Sequence, residues 1–318
     1  MGDKEERPGG VRRVSLQSRP SKVRVRDFAR PYTPGQTLKE FIEALPRILG
    51  AEDLRSIAER IVRAHLSGKE VIAAMGAHVI KVGLSPVIIA LMERKVITAV
   101  ALNGAGVIHD VEIALSGQTS EDVGPALDRG MFGMVEETAR FINEAVRDAG
   151  CSGSGFGPAV CARLAAASPP YAAQSILCQA HTLGIPVTVH VALGTDIVHM
   201  HPSAEGSAIG AASLLDFHRL ADIVARLAGG VFLNIGSAVI LPEVFVKALN
   251  LARNRGHAVK DFTTVNMDFI RHYRPSVNVV ERPVRLGGEG FHLIGHHEIN
   301  VPLLAAAVLE HLNDYAKT

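Results

Sequence analysis

The chain has 318 residues, of which 47% are hydrophobic and 20% charged, so it is long and apolar enough to bury a substantial core. Its formal net charge of +1 argues against a nucleic acid or a membrane surface as a partner for the chain as a whole. The three cysteines form no CxxC pair, which argues against a disulfide framework or a structural zinc site and favours the reducing cytoplasm.

The beginning of the chain is rich in basic residues and in proline. Pro8, Pro20, Pro31 and Pro34 interrupt any helix there. We therefore predict a flexible basic arm at residues 1–36, followed by a single domain at residues 37–318. An alternative is an arm that packs on a neighbouring subunit. The arm has no apolar segment of the secretory type, and the chain has no uncharged apolar run of about eighteen residues, so we expect no membrane span.

Helices and strands alternate through most of the remaining sequence. Two amphipathic helices are predicted at residues 38–45 and 54–65. Strands are then predicted at residues 71–75, 96–102, 185–193, 231–235, 262–267 and 291–294. Further helices are predicted at residues 84–94, 107–115, 134–148, 171–183, 206–228, 242–254 and 301–312. The polar segments 116–129 and 150–170 predict loops. This alternation predicts an α/β fold, a Rossmann-like parallel sheet with helices on both faces.

Small residues stand at four predicted strand ends. The four turns are Gly76-Ala77-His78, Asn103-Gly104-Ala105-Gly106, Gly194-Thr195-Asp196 and Gly236-Ser237-Ala238. Each alone is explained by a tight turn between a strand and a helix. Together they favour a dinucleotide or phosphorylated ligand, because ligands bind beyond the carboxyl ends of parallel strands and helix N-termini attract phosphate. The GxGxxG pattern of simple dehydrogenases is absent, since Val107, Ile108 and His109 follow Gly106.

These turns resemble, in sequence and in order, those of the deoxyhypusine synthase family. Residues 76–83 resemble the family's Ser-Asn-containing turn. Residues 102–110 resemble its Thr-Ala-Gly-Gly turn and the acidic cluster that follows. Residues 175–196 resemble the helix and strand that lead to its Pro-Ala-Leu-Thr-Asp segment, with Ile185-Pro186-Val187 as the clearest anchor.

The second half of the chain continues the resemblance. Residues 235–239 resemble the family's Gly-Gly-Gly turn, and residues 263–266 resemble its Asn-Thr-Ala segment. Residues 296–298 and 301–304 resemble its Asp-Ala-Ser segment and the Phe-Pro-Leu-Leu helix start after it. The matching order extends over residues 70–312.

The resemblance implies an NAD-binding Rossmann-like fold, a homotetramer with sites between paired subunits, and an amine substrate from which NAD takes a hydride. The family's substrate is spermidine, a polyamine. Together with the strand-end pattern, the resemblance places NAD against Ala77, His78, Asn103, Gly104, Ala105, Gly106, Asp196, Gly236, Ser237, Ala238, Val265, Asn266, His296 and His297.

Three residues are predicted to be catalytic. His109 is a candidate general base, because imidazole is the side chain that titrates near neutral pH. Asp110 keeps an acidic residue where the family grips the ammonium group of its substrate. Glu243 stands at or beside the position of the family's histidine and could also hold a cation.

The chain departs from the family at its catalytic lysine. That lysine lies in a Trp-Gly-Lys motif shortly before the last strand, and the corresponding residues 279–286 contain neither Trp nor Lys. Arg282 and Arg285 cannot replace it, because a guanidinium group stays protonated and does not form imines. We therefore expect an NAD-dependent enzyme that acts on a small amine by hydride abstraction or aminoalkyl transfer, and not a true deoxyhypusine synthase.

Two other function classes remain open at the level of sequence. One is a metallohydrolase that uses His199 and His201, because alternate residues of an extended segment point to the same side. The other is a non-enzymatic nucleotide-binding protein built on the same fold, since fold does not determine function.

Overall fold

A six-stranded sheet forms the centre of the computed structural model, which describes residues 11–315, with residues 150–152 described by their backbone alone. The strand order is β3-β2-β1-β4-β5-β6, and every pairing is parallel. The strands are β1 Val71–Met75, β2 Ala99–Asn103, β3 Val187–His190, β4 Val231–Ile235, β5 Thr263–Asp268 and β6 Glu289–Ile294. The prediction of a Rossmann-like parallel sheet is confirmed.

Thirteen α-helices surround the sheet within the described residues. They are α1 Leu38–Ala44, α2 Leu49–Leu66, α3 His78–Lys81, α4 Ser85–Glu93, α5 Gly104–Ser116, α6 Val123–Asp128, α7 Glu136–Ser152, α8 Phe156–Ala167, α9 Ile176–Leu183, α10 Gly206–Val224, α11 Ile240–Asn254, α12 Tyr273–Pro275 and α13 His297–Tyr315. Short 3-10 turns lie at Val25–Asp27, Ala172–Gln174, Ile197–Met200 and Pro283–Leu286, and a π-helical turn lies at Ser276–Glu281. None of these helices is long and apolar enough to cross a membrane.

The chain leaves β1 and β4 toward opposite faces of the sheet. Ile88 of α4 belongs to the core on one face, together with Met75 of β1. Phe245 of α11 belongs to the core on the other face, where its ring stacks on Phe232 of β4 at a centroid distance of 3.7 Å. In an open parallel sheet, such a reversal opens a crevice at the carboxyl ends of the two strands. The strand order therefore puts a candidate ligand crevice between the ends of β1 and β4.

Two helices fall within segments that the sequence predicted to be loops. The prediction of a loop at residues 150–170 is wrong, because α8 fills most of it. Pro158 lies in the first turn of α8, where a missing N–H is tolerated. The N-terminus of α8 is held by Asp216 of α10, whose Oδ2 accepts the N–H of Gly157 at 2.7 Å. Likewise α6 lies inside the predicted loop 116–129.

The predicted flexible arm falls partly on residues 1–10, which lie outside the described residues. Residues 11–36 follow an exposed path with a single 3-10 turn. Two backbone hydrogen bonds join this segment to the next, from Arg30 N to Ala44 O and from Arg47 N to Asp27 O, both at 2.9 Å. The ring of Tyr32 also meets that of Phe41 on α1 at 6.4 Å. The end of the arm is thus joined to the first helix.

Candidate functional site

The ends of β1 and β4 touch each other through their backbones. Gly76 N donates to Ile235 O at 2.9 Å, and a Cβ atom on Gly76 would stand 2.2 Å from Gly236 O. Gly236 has a φ of +67°, in the left-handed region that favours glycine. The floor of the crevice is therefore bare backbone, and a ligand can approach it closely.

A histidine from the last helix covers one side of this floor. His297, the first residue of α13, is 2% exposed, and its Nε2 would stand 2.8 Å from a Cβ atom on Gly236. Its Nδ1 is buried and has no hydrogen-bond partner. The ring of His78, the exposed first residue of α3, lies 5.7 Å from that of His297. The two imidazoles thus meet at the crevice, although their helices follow the first and last strands.

Burial disfavours the charged form of the His297 imidazole. Loss of solvent lowers the pKa of His297, and the neighbouring His78 and His296 lower it further, while Asp268 and Glu298 oppose the shift. Asp268, at the end of β5, is itself buried. The sequence prediction did not include Asp268, although its place at a strand end was a usable signal.

Buried amide side chains fix the turn after β4. Asn234 Nδ2 donates to Ser237 O at 2.9 Å and to Asn266 Oδ1 at 2.7 Å. Ser237 Oγ in turn accepts the N–H of Leu241 in the first turn of α11 at 3.2 Å. Asn266, which lies within β5, therefore helps to hold the turn in place through its hydrogen bond with Asn234. Of the other predicted cofactor residues here, Ala238 is half-buried, Val265 lies in the core and His296 is exposed.

The N-terminus of α5 carries a carboxylate. Asn103 Oδ1 caps this helix by accepting the N–H of Gly106 at 2.9 Å, and Ala105 is half-buried in its first turn. The buried carboxylate of Asp196 lies against Gly104, where a Cβ atom would stand 2.0 Å from its Oδ2. Burial raises the pKa of Asp196, although His199 opposes the shift. A carboxylate at this place favours a hydroxyl or ammonium donor over the phosphate that the sequence pattern suggested.

Asp110 caps another helix in this structure. Its carboxylate is fully buried and accepts three hydrogen bonds, from Ser175 Oγ at 2.5 Å, Ile176 N at 2.8 Å and Leu177 N at 3.0 Å. These donors belong to the N-terminus of α9. Burial raises the pKa of Asp110 to about 6, even though the three hydrogen bonds oppose the shift. The structure thus gives Asp110 a structural role, which differs from the expected role of gripping an ammonium group.

The other two predicted catalytic residues contact different elements. His109 Nδ1 lies 2.6 Å from Thr119 Oγ1 and 3.7 Å from Glu112 Oε2. Thr119 belongs to the segment that connects α5 and α6, so the His109 ring contacts that segment. Glu243 is engaged on α11 by Lys247, by Asn278 Nδ2 at 2.9 Å and by Arg274 Nε at 3.5 Å. The hydrogen bond from Lys247 in particular lowers the pKa of Glu243. Thus the structure does not join His109, Asp110 and Glu243 through shared contacts.

The HxH pair has other partners. His201 is held by Glu136 Oε2 at 2.8 Å and by Ser203 Oγ at 2.7 Å. His199 Nδ1 accepts the N–H groups of Gly194 and Asp196, at 3.2 and 3.3 Å. In the part of the chain that the structure describes, no three His, Cys, Asp or Glu side chains converge as metal ligands. The donor set required for a metallohydrolase is not assembled there.

Cavities elsewhere in the molecule lie far from this crevice. Two open pockets of about 350 and 660 Å³ are bordered by Leu66 at the end of α2 and by Tyr315 at the end of α13. Because α2 leads into β1, and α13 follows β6, both pockets lie toward the amino ends of the strands. His78, Asp196 and His297 lie at the opposite edge of the sheet, beyond the carboxyl ends of the strands, where ligands bind in open parallel sheets.

No family model and no curated protein matches the sequence, but solved structures match the fold. A candidate deoxyhypusine synthase from Entamoeba histolytica is 10% identical, with a TM-score of 0.53 over 89% of this chain and 96% of its own. A conserved candidate LOR/SDH protein from Methanococcus maripaludis S2 is 16% identical, with a TM-score of 0.51 over 88% of this chain and 72% of its own.

A third similar structure is the ternary complex of AgrE with ornithine and NAD+. It is 13% identical, with a TM-score of 0.50 over 83% of this chain, which spans only 33% of the AgrE chain. The chain shares its fold with these three proteins. The expected deoxyhypusine synthase-like fold is thereby supported, and the likeness concerns the fold.

Proposed function

We propose that this protein is an NAD-dependent enzyme that acts on a small amine, by hydride abstraction or aminoalkyl transfer. The observation that carries the proposal is the crevice between β1 and β4, where the backbone of Gly76 and Gly236 meets the buried His297. A Cβ atom on Gly76 would meet Gly236 O at 2.2 Å, and one on Gly236 would meet His297 Nε2 at 2.8 Å, so both turns remain without side chains. The backbone of such turns can be approached closely by a flat, extended cofactor.

NAD would lie across the carboxyl ends of the strands. Ala77 and His78 border the crevice on one side of the sheet, and Ser237 borders it on the other. Asp196, at the N-terminus of α5, offers a carboxylate to a hydroxyl or an ammonium group. Bound NAD+ would supply the hydride acceptor, which no protein side chain provides. The ternary complex of AgrE with ornithine and NAD+, of which this chain spans 33%, supports an amine as the substrate class.

The first experiment measures nucleotide binding and reduction. We expect NAD+ to bind in calorimetry, and its absorbance to change to that of NADH when an amine such as ornithine or spermidine is added. Absence of nucleotide binding by folded protein would contradict the proposal. Binding without reduction by any amine would favour the non-enzymatic nucleotide-binding protein.

A second experiment separates this protein from a true deoxyhypusine synthase. Among the described lysines, Lys247 is paired with Glu243, and Lys260 is 62% exposed beside Asp261. Imine formation requires an unprotonated lysine held against the substrate carbon. After incubation with NAD, spermidine and borohydride we expect an unchanged protein mass, whereas a deoxyhypusine synthase serves as the positive control. A mass increase by a reduced aminobutyl group would restore the lysine mechanism.

A further inference from the structure

The imidazoles of His78 and His297 form a pair with unequal access to solvent. His78 is exposed at the start of α3, while His297 is buried behind it at the start of α13. Their ring centroids lie 5.7 Å apart with the planes tilted by 58°. Because two positive charges at such a distance repel each other, the pair holds one proton far more readily than two.

The buried member of the pair lacks a hydrogen bond. His297 Nδ1 has no partner among the described residues, and an unpaired buried polar atom costs free energy unless a ligand or proton uses it. Four titratable side chains face His297: Asp268 from the end of β5, His78 from α3, and His296 and Glu298 from α13 itself. The two carboxylates stabilise a proton on the ring, and the two histidines oppose it.

We propose that His78 and His297 together accept the proton that an amine substrate must lose. An ammonium group has no lone pair with which to form a carbon–nitrogen double bond, so one N–H bond must break before hydride can leave the neighbouring carbon. That proton forms a new N–H bond on the imidazole pair, and the positive charge moves from the substrate to the pair. His78 meets the substrate, and His297 lies behind it next to Gly236. This inference rests on the proposed binding of NAD at the crevice.

Charge on the pair has a consequence that can be measured without knowing the substrate. Oxidised NAD carries a positive nicotinamide ring, and reduced NAD carries a neutral one. A proton on the pair therefore repels the oxidised form and not the reduced form. By linkage, binding of NAD+ releases a proton over the pH range in which its affinity falls, whereas binding of NADH leaves the protonation of the pair nearly unchanged.

The test is calorimetry of NAD+ and NADH binding from about pH 8 to about pH 5, the range in which histidines titrate. For the wild-type protein we expect the affinity for NAD+ to fall by about tenfold or more on acidification, with little change for NADH. In the His78→Gln variant this fall should move to lower pH, because only His297 remains to take up the proton and burial lowers its pKa. The double variant with His297→Gln should lose the pH dependence.

A matched control uses a histidine remote from the crevice. His257 is exposed beyond the end of α11, and His257→Gln should behave as the wild type. Equal pH dependence for NAD+ and NADH in the wild type, or an unchanged dependence in the double variant, would overturn the inference while leaving NAD binding intact. Failure of both nucleotides to bind at every pH would overturn the proposed function with it. The single His78→Gln variant keeps the test decisive if loss of the buried His297 prevents folding.

Discussion

Gly236 carries two independent constraints, one on its backbone and one on the space around it. Its φ of +67° is strained for any residue with a side chain, and a Cβ atom would press on His297 Nε2 at 2.8 Å. Gly184 has nearly the same φ of +68°, at the end of α9, but no atom within 4 Å of its would-be Cβ. Substitutions at these two glycines therefore separate the effect of backbone strain from the effect of contact between the new Cβ atom and its neighbours.

For Gly236→Ala we expect the free energy of unfolding to fall by about 2 kcal/mol and the affinity for NAD+ to weaken by about tenfold. Gly184→Ala should lose about 1 kcal/mol from backbone strain alone and keep its affinity for NAD+. Denaturant unfolding and calorimetry measure the two quantities. Equal nucleotide affinity in both variants would contradict a ligand at Gly236.

Asp110 links stability to pH. Burial raises the pKa of Asp110 from 3.8 to about 6, so the folded protein binds this proton more tightly than the unfolded chain does. The Asp110 carboxyl group therefore contributes to the free energy of unfolding. This contribution is fully present below about pH 4 and is lost as the pH rises through about 6. A pKa shift of this size corresponds to about 3 kcal/mol of unfolding free energy.

In Asp110→Asn the pH dependence between about pH 4 and about pH 6 should flatten. The variant should also lose about 1–3 kcal/mol, because an amide NH₂ group would face the donors of Ser175, Ile176 and Leu177. The exposed Asp128→Asn is the control, and should keep the wild-type profile. Denaturant unfolding at several pH values gives the comparison. A profile of Asp110→Asn parallel to that of the wild type would argue against titration of this carboxylate.

At the level of elements, the contact between β1 and β4 determines the shape of the crevice. A glycine follows each strand, and the hydrogen bond from Gly76 N to Ile235 O continues the pairing one residue beyond β1. A Cβ atom on Gly76 would stand 2.2 Å from Gly236 O and 2.9 Å from Gly236 C. These are backbone atoms, which cannot rotate away as a side chain can, so the strands themselves would have to separate.

We expect Gly76→Ala to lose about 2 kcal/mol of unfolding free energy and to weaken NAD+ binding. Gly210→Ala in α10 is the matched control, because no atom lies within 4 Å of its would-be Cβ. That change should gain about 0.5–1 kcal/mol from the higher helix propensity of alanine. Urea unfolding measures the free energy of unfolding of both variants. A Gly76→Ala protein as stable as the wild type would show that the ends of β1 and β4 can move apart.

At the level of the whole molecule, the arm exposes apolar side chains that a second copy of the chain could cover. Val11, Val14 and Val25 are 76%, 77% and 81% exposed. The homotetramer that the sequence resemblance implies stays a prediction, and we propose an assembly of four 33.9 kDa chains, about 136 kDa in total. Light scattering should give this mass, and Val14→Ser with Val25→Ser should shift it downward. A monomeric wild-type protein would refute the proposal.

Much of the fold follows from local sequence. Strands β1 and β4 were predicted with their observed ends, because a parallel strand buried on both faces is a mainly apolar run, interrupted in β4 only by Asn234, that is followed by glycine. Helix α8 could not be predicted from local sequence in this way. It begins at residues that look like a loop, and its first turn depends on Asp216, which is distant in sequence.

The sequence by itself determined which residue types stand at the strand ends, because small residues in the turns after parallel strands are a local feature. Only the tertiary structure decided what each polar side chain does. His78 and His297 meet although β4 and β5 separate β1 from β6 in the sheet, and the carboxylate of Asp110 accepts hydrogen bonds at the N-terminus of α9. Side-chain partners distant in sequence are chosen by packing, hydrogen-bond geometry and burial, none of which a local pattern contains.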